Sequence, residues 1–478
     1  ERRLHRLDVR LIPKTLLAPH FPRKLPLVRP GLLLRMICLA YATAYAGLSL
    51  ARYHSFHAQI DLSYYVRIVW GLAHGQYDVP LVQAPHLIGL HLEPILLPLA
   101  ALARLGVPIA PLLLVVQAVA VALLPWPVYR LARRYLDSDW LALLMAVVSL
   151  LYPTVTVATL HDFHPVTLAL PLLGAWLDAM DEGAWRRALL WGGLALACRE
   201  DIAVQLALVL GAFALHRPQQ RVWLAWVAAL LIAYFGVYIV AIQPHYLPKL
   251  GSYGLHFAGG GQKVGSGRDL LLLLLRHPLR FVMEWLTWER LRYVLELLWP
   301  LGLLPLLGPR FAVGALPILG INFLSSFPRV RSIESHYTTA MVPFLVMAAV
   351  VGLSRLAAVM RSRTPRLSPL WLAVALLLLT AAAQVRHGGS PLAVYSSRYS
   401  AALFVPDPEA ASVRAAIHRV PPGASVAARP GPLAHLADRP RVVSPPEYDD
   451  GQPVDVVLTK DATPQGTARI GSQPLSSH

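Results

Sequence analysis

Apolar runs joined by short polar connections occupy the chain from Gly31 to Val385. Most of them approach the ~20 residues that cross a bilayer as a helix. The runs are Gly31–Leu50, Pro111–Tyr129, Trp140–Leu160, Val166–Met180, Val222–Ile242, Leu291–Leu307, Phe311–Leu324, Thr338–Leu353 and Leu370–Ala383. His91–Leu105 is shorter, ~22 Å as a helix. It carries Pro94 and Pro98, so a re-entrant or tilted segment is expected. Leu189–Leu215 is interrupted by Arg199, Glu200 and Asp201, and two short helices meeting at CRED are expected there. Broken helices of this kind often carry functional sites in membranes. The pattern predicts an all-α polytopic membrane protein of about eleven transmembrane helices. No internal repeat stands out, which counts against transporter folds built from inverted halves.

Between the first two runs lies Arg52–Glu93, read as the first external loop. Leu62, Tyr65, Val66, Val69 and Leu72 repeat there at helical spacing. They predict an amphipathic helix lying on the membrane surface. Asp61 stands where an N-cap belongs, and capping and catalysis are both open for it.

From Arg386 the character changes, with more Pro, Ser and charge. Asp407 and Pro408 open a helix through His418. Short β-rich runs follow at 425–428, 441–444 and 454–459, with GPLAHLA between the first two. The domain reading is a basic arm (1–30), a transmembrane domain (31–385) and a small α/β domain outside the membrane (386–478). The end, from about Ala462, is expected to be disordered.

Composition supports the membrane assignment. The 478 residues are 56% hydrophobic and 14% charged, against about 25% charged in a soluble domain. Mean hydropathy is +0.52. The two cysteines, Cys38 and Cys198, sit inside apolar runs and imply no disulfide framework. No cleavable signal precedes the first run, so the arm is expected to be retained in the cytoplasm.

The net charge of +17 could suggest nucleic acid, but its distribution argues against that partner. Basic residues cluster in the arm, at Arg130/Arg133/Arg134, at Arg186/Arg187, at Arg217/Arg221 and at Arg355/Arg361/Arg363/Arg366. Recurrent short basic loops mark the cytoplasmic side. They place the N-terminus inside and the C-terminal domain outside, with anionic membrane lipids as the partner of the arm.

Polar groups near the outer ends of the runs carry the candidate chemistry. His161, Asp162 and His164 end one run, where metal ligation and plain interfacial polarity are both open. Glu200 and Asp201, with Arg199, form either a cavity wall or a fold-stabilising ion pair. Arg329, Arg331, Glu334, His336 and Tyr337 bring positive charge that either clamps a phosphate or is simply solvated. There is no nucleophile elbow, P-loop, dinucleotide fingerprint or tandem CxxC.

The segments IDLSYYVRIVWGLAHGQ, GLHLEPILLPLA, LHDFHPVTLALPLL, CREDIAVQLAL and SHYTTAMVPFL occur in that order. Together with PPGASV and LADRPRV in the tail they resemble a family of bacterial and archaeal predicted membrane proteins, domain of unknown function 2079. The layout is similar to the C-type (GT-C) glycosyltransferase superfold. That resemblance implies a polyprenyl-phosphate-linked sugar donor, used at the outer face of the cytoplasmic membrane. Asp61 matches the catalytic aspartate. Tyr64, Tyr65 and Arg67 depart from the usual pattern, where smaller residues and a glutamine stand.

On this reading Asp61 takes the proton of an acceptor hydroxyl. Arg329, Arg331 or His336 meets the leaving phosphate. Asp162 and Glu200 orient the sugar or hold a metal. Arg67, His91, Glu93, His161, His164, Asp201 and Tyr337 are the remaining binding candidates, and the cofactor is left open, a divalent metal among the candidates. Two other functions fit the same residues. One is a carrier or flippase for a lipid-linked or anionic solute, and the other a non-catalytic assembly partner presenting the tail domain.

Overall fold

Pro30 starts the first long helix, α1 (Pro30–His54). Proline suits a first turn because its missing N–H would have no helical partner there. The computed structural model describes residues 29–82, 84–247, 286–325, 327–363, 369–406, 408–445, 451–460 and 468–471, with Arg276 and Leu279. The basic arm up to residue 28, the glycine-rich stretch around Gly259, Trp285 and Asp407 lie outside the described residues.

The helices that follow are α2 (Ile60–His74), α3 (Leu96–Arg104), α4 (Ile109–Ala122), α5 (Pro125–Leu136), α6 (Asp139–Leu151), α7 (Pro153–Leu160) and α8 (Pro165–Glu182). Next come α9 (Trp185–Leu196), α10 (Ile202–His216) and α11 (Arg221–Val237). Later long helices are Val342–Arg363 and Pro369–His387. Among the described residues five helices are long and apolar enough to cross a membrane, or six if the bent pair α6–α7 is one span. The expected count of about eleven is not reached. Several apolar runs are built as shorter pieces, such as α9, α10 and Leu316–Leu324. In others proline or charge intervenes, as at Pro171, Asp178, Asp181 and Glu182 of α8. Hydropathy counts residues and does not see where a helix stops.

The segment His336–Ser362 is the most enclosed span, 78% of its apolar window being buried. A side chain on Gly352 would meet the carbonyl of Leu304, and one on Gly308 would meet that of Ala348. These glycines let Leu304–Gly308 cross the buried helix in backbone contact.

The 18 residues of α8 span ~27 Å and separate two polar ends. At its C-terminal end Asp178 meets Arg130 Nε at 2.7 Å and Arg134 Nη1 at 2.7 Å, and Asp181 meets Arg310 at 2.6 Å. Arg217 donates to the Asp181 carbonyl at 2.9 Å, so α10 ends on this basic side. Helices α9 and α10 therefore meet at the opposite end, at Arg199–Asp201, as two short helices.

The tail folds as a four-stranded sheet in the order β2-β1-β3-β4, where β1 is Val426–Ala428, β2 Val442–Val443, β3 Val456–Lys460 and β4 Ala468–Gly471. Strand β1 pairs in parallel with β2 and β3, and β4 is antiparallel to β3. Its core contains Leu81, and Ile60 and Tyr64 pack against it, so the tail rests on the first loop. Gly431 admits the Phe56 carbonyl where a side chain would collide. His435 stacks on Tyr53 with ring centroids 3.9 Å apart.

Between tail and bundle lies α2, and its N-terminus shows how it is fixed. The N-cap residue is Gln59, whose side chain makes no cap bond. Asp162 serves instead, accepting from the Gln59 amide at 3.1 Å and the Leu62 amide at 2.9 Å. Arg52 Nη1 lies 3.3 Å from the same carboxylate and donates to the Leu160 carbonyl at 2.6 Å. Local sequence suggested Asp61 as the cap, and the acceptor comes from a hundred residues away. Removing Asp162 leaves two helix amides and a buried guanidinium without their acceptor. Asp162→Ala is expected to destabilise the fold by ~3–5 kcal/mol, read from unfolding in detergent. Asp61→Ala is expected to fall below the ~1 kcal/mol of a lost cap. The reverse ranking would return the cap to Asp61.

Candidate functional site

One residue shapes the turn that carries the site. Gln117 is fully buried on α4. Its amide donates to the carbonyls of Ala158, Thr159 and His161 at 3.1, 3.2 and 3.3 Å. Its oxygen accepts from the His164 amide at 2.9 Å and the Thr167 hydroxyl at 2.7 Å. The HDFH turn between α7 and α8 would otherwise leave these backbone groups unmet in an apolar bundle.

On this turn His161 and His164 face α2. His161 Nε2 is 3.5 Å and His164 Nε2 3.4 Å from Asp61 Oδ2. Asp61 occupies the second position of α2 and its side chain is 35% exposed. No other hydrogen-bond partner of Asp61 occurs among the described residues. The imidazole of His336, from the start of the buried helical segment, stacks on those of His164 and His161 with centroids 4.2 and 4.7 Å apart. His164 Nδ1 is bound to the Asp162 carbonyl at 2.9 Å. Donor atoms of Asp61, His161, His164 and His336 all lie within 4.8 Å of one another. Among the described residues this is the group that could share one cation.

Electrostatics distinguish these groups. Burial raises the Asp61 carboxyl, but the imidazoles of His161 and His164 more than reverse this and hold it well below the usual carboxylate value. Burial lowers His164, and Asp61 overrides it, so His164 is raised. Burial lowers His161, the Asp61 contact opposes it, and the His164 charge lowers it further, so the net shift is downward. Asp61 is therefore ionised, and His164 takes a proton ahead of His161.

A second polar group stands beside the first. Tyr65 donates to Glu93 at 3.2 Å, and its ring edge meets His164 at a centroid distance of 5.7 Å. His91 Nδ1 pairs with Glu200 at 2.9 Å, and Glu200 also accepts the Leu92 amide at 2.9 Å. Arg199 makes a two-point contact with Asp201, both bonds 2.7 Å. Between these groups is a cavity of about 230 Å³, whose walls include Asp61, Tyr64, Tyr65, His91, Glu93, His164, Arg199, His336 and Tyr337.

Other candidates stand away from this wall. Asp162 is spent on the α2 amides and Arg52. Glu200, fully buried, acts through His91 and the Leu92 amide. Asp201 acts through Arg199, and His161, which does not line the cavity, meets the same Asp61 oxygen as His164. Arg67 is buried and binds the Pro440 carbonyl at 3.0 Å, Gln76 at 3.3 Å and Asp78 at 3.2 Å, tying α2 to the tail. Arg331 pairs with Glu289 at 2.9 Å, and Arg329 is exposed. Neither of these two arginines lines the cavity, because Glu289 draws Arg331 away from it. A larger space of about 550 Å³ lies between residues 55–60 and the tail, with Glu409, Arg429 and Ser444 on its walls.

Burial first, and then the Glu200 carboxylate against the pull of His91 and Arg199, pushes Glu93 from 4.5 up to about 7. The folded protein thus binds a proton at Glu93 that the unfolded chain has released. This contribution to stability is complete below about pH 4.5 and is lost as pH rises through about 7. Melting temperatures of wild type and Glu93→Gln across this range test it. The difference between them is expected to grow in favour of the variant with rising pH, and a constant difference would contradict it.

The family of predicted membrane proteins DUF2079 matches residues 52–477. No curated protein matches the chain. Among solved structures, the crystal structure of ArnT from Cupriavidus metallidurans bound to undecaprenyl phosphate is 15% identical. That match covers 88% of this chain and 87% of the other, with a TM-score of 0.47. The family match runs from the end of α1 through the HDFH turn, the CRED break and the tail sheet, and the chain belongs to the DUF2079 family of membrane proteins.

Proposed function

We propose that the chain is a membrane glycosyltransferase that takes a sugar from a polyprenyl phosphate at the outer face of the cytoplasmic membrane. The observation that carries this reading is the position of Asp61. Asp162 relieves it of capping, so its carboxylate is left ionised at the wall of a polar cavity. Beside the cavity, α3 packs on α2 and exposes Leu97 (56%), and Leu105 just past its end is also exposed (80%). These residues offer a flank for an apolar lipid tail.

The step balances with the groups at hand. The acceptor oxygen forms a bond to the anomeric carbon while the bond from that carbon to the phosphate oxygen breaks. The acceptor proton passes to Asp61, and the phosphate leaves with the bonding electron pair. Arg199 is the cationic group on the cavity wall that would meet its charge, in place of Arg329 and Arg331. Glu200 and Asp201 hold His91 and Arg199 in position.

Asp61→Asn keeps the shape of the side chain and removes its basicity. In proteoliposomes supplied with a radiolabelled polyprenyl-phosphate sugar, it is expected to lower transfer roughly 100- to 10,000-fold, with the melting temperature unchanged. Full activity would remove Asp61 as the base. Lipid binding without transfer by the wild type would contradict the transferase reading and favour a carrier.

The orientation has its own test, because the arginine-rich end of α8 and α10 is assigned to the cytoplasm. In intact cells a cysteine replacing Arg419 is expected to label from outside, and one replacing Gln219 only after permeabilisation. Outside labelling at Gln219 would invert the assignment.

A further inference from the structure

Three imidazoles and one carboxylate, drawn from α2, the HDFH turn and the start of the buried helical segment, face one another at the edge of the cavity. We infer that Asp61, His161, His164 and His336 form a mononuclear site for a divalent transition ion of the zinc class. The donor set selects the ion first. Magnesium and calcium are held almost wholly by oxygen, whereas imidazole suits zinc, cobalt, nickel, copper and iron. Three nitrogens and one oxygen match the second group.

Spacing agrees with the donor set. Ligand atoms ~2.0–2.1 Å from a tetrahedral ion stand roughly 3.3 Å from one another. Two edges of the group, from Asp61 Oδ2 to His161 Nε2 and to His164 Nε2, are 3.5 and 3.4 Å. Imidazole centroids around such an ion stand roughly 5 Å apart. Here they are 5.3 Å for His161–His164, 4.7 Å for His161–His336 and 4.2 Å for His164–His336. The His336 ring lies nearly parallel to those of His161 and His164, at 17° and 21°, and turning it about its side-chain bonds completes the set.

The surroundings prepare these ligands as metal sites do. The bond from His164 Nδ1 to the Asp162 carbonyl leaves Nε2, 3.4 Å from Asp61, as the nitrogen that an ion would take in place of a proton. A ligating histidine is commonly oriented by such a bond from its other nitrogen. Gln117 grips the backbone at both His161 and His164, so two ligands are placed before any ion arrives. The ligand atoms of all four side chains lie within 4.8 Å of one another. Asp61, His164 and His336 also line the cavity. An oxygen of a bound substrate could therefore join as a fifth ligand, an expansion that zinc accepts.

The test uses the full chain, purified in detergent without a polyhistidine tag and stripped of metal. Cobalt(II) is titrated in and visible absorption recorded. One equivalent is expected to give the strong d–d bands of a four-coordinate site, which zinc abolishes and excess magnesium leaves unchanged. His164→Ala and, separately, His336→Gln are each expected to weaken cobalt binding more than ~100-fold, beyond the loss typical of an outer-shell change. Absence of the bands in the wild type would overturn the inference whether or not the variants fold. Bands that persist in both variants would place the ion elsewhere. The readout needs no substrate, so it stands or falls apart from the transferase reading.

Discussion

The carboxylate of Asp162 is the constraint on which the geometry of the site depends. It is 1% exposed, and its partner Arg52 is 9% exposed. A charge so buried is stable only when its attraction and hydrogen bonds offset its lost hydration. Arg52 and the amides of Gln59 and Leu62 provide that offset, and they belong to α1 and the start of α2. The same contact therefore fastens the first loop to the HDFH turn. It also decides which aspartate is free, because the N-terminus of α2 already has its acceptor. Asp61, next along the helix, is turned to the imidazoles.

Other contacts hold this junction from above and from the side. Above, the tail shares its apolar core with Leu81, Ile60 and Tyr64, while Arg67 binds the Pro440 carbonyl. Beside it, Glu200 holds His91 and the Leu92 amide, and Asp201 holds Arg199. The cavity is thus built from side chains fixed by neighbours outside its wall. Such preorganisation is what stabilising charge in a transition state requires.

How much of this could be read from the sequence depended on the range of each interaction. The helical face of α2 was legible because Leu62, Tyr65, Val66 and Val69 repeat at a period set by the backbone, and all are buried. The break at CRED was legible because charge in an apolar run needs a local reason. The cap of α2 was not, since its acceptor lies a hundred residues away and local spacing points to the wrong aspartate. The sequence marked Asp162, Glu200 and Asp201 as polar groups at membrane depth, yet could not separate groups on the cavity wall from those that brace it. Local sequence does not show that Arg331 has Glu289 as its partner, and Arg329 is exposed and off the cavity wall. Gln117 lies inside the apolar stretch PLLLVVQAVAVA, where a lone amide signals a hydrogen-bonding duty. The difference between about eleven expected spans and the five or six long apolar helices among the described residues has another origin. Breaks such as those before Pro153 and at Arg199–Asp201 divide apolar runs into shorter helices.

The central claim is that the cavity beside Asp61 receives the phosphate end of a polyprenyl lipid. The most direct measurement is a cryo-electron microscopy structure of the chain in lipid nanodiscs with a short-chain polyprenyl phosphate. Phosphate density within hydrogen-bond reach of Arg199, with the chain leaving past Leu97 of α3 and Leu105 just beyond its end, is the expected result. Lipid phosphate bound beneath the tail or at the arginine-rich end of α8, with none beside Asp61, would contradict it.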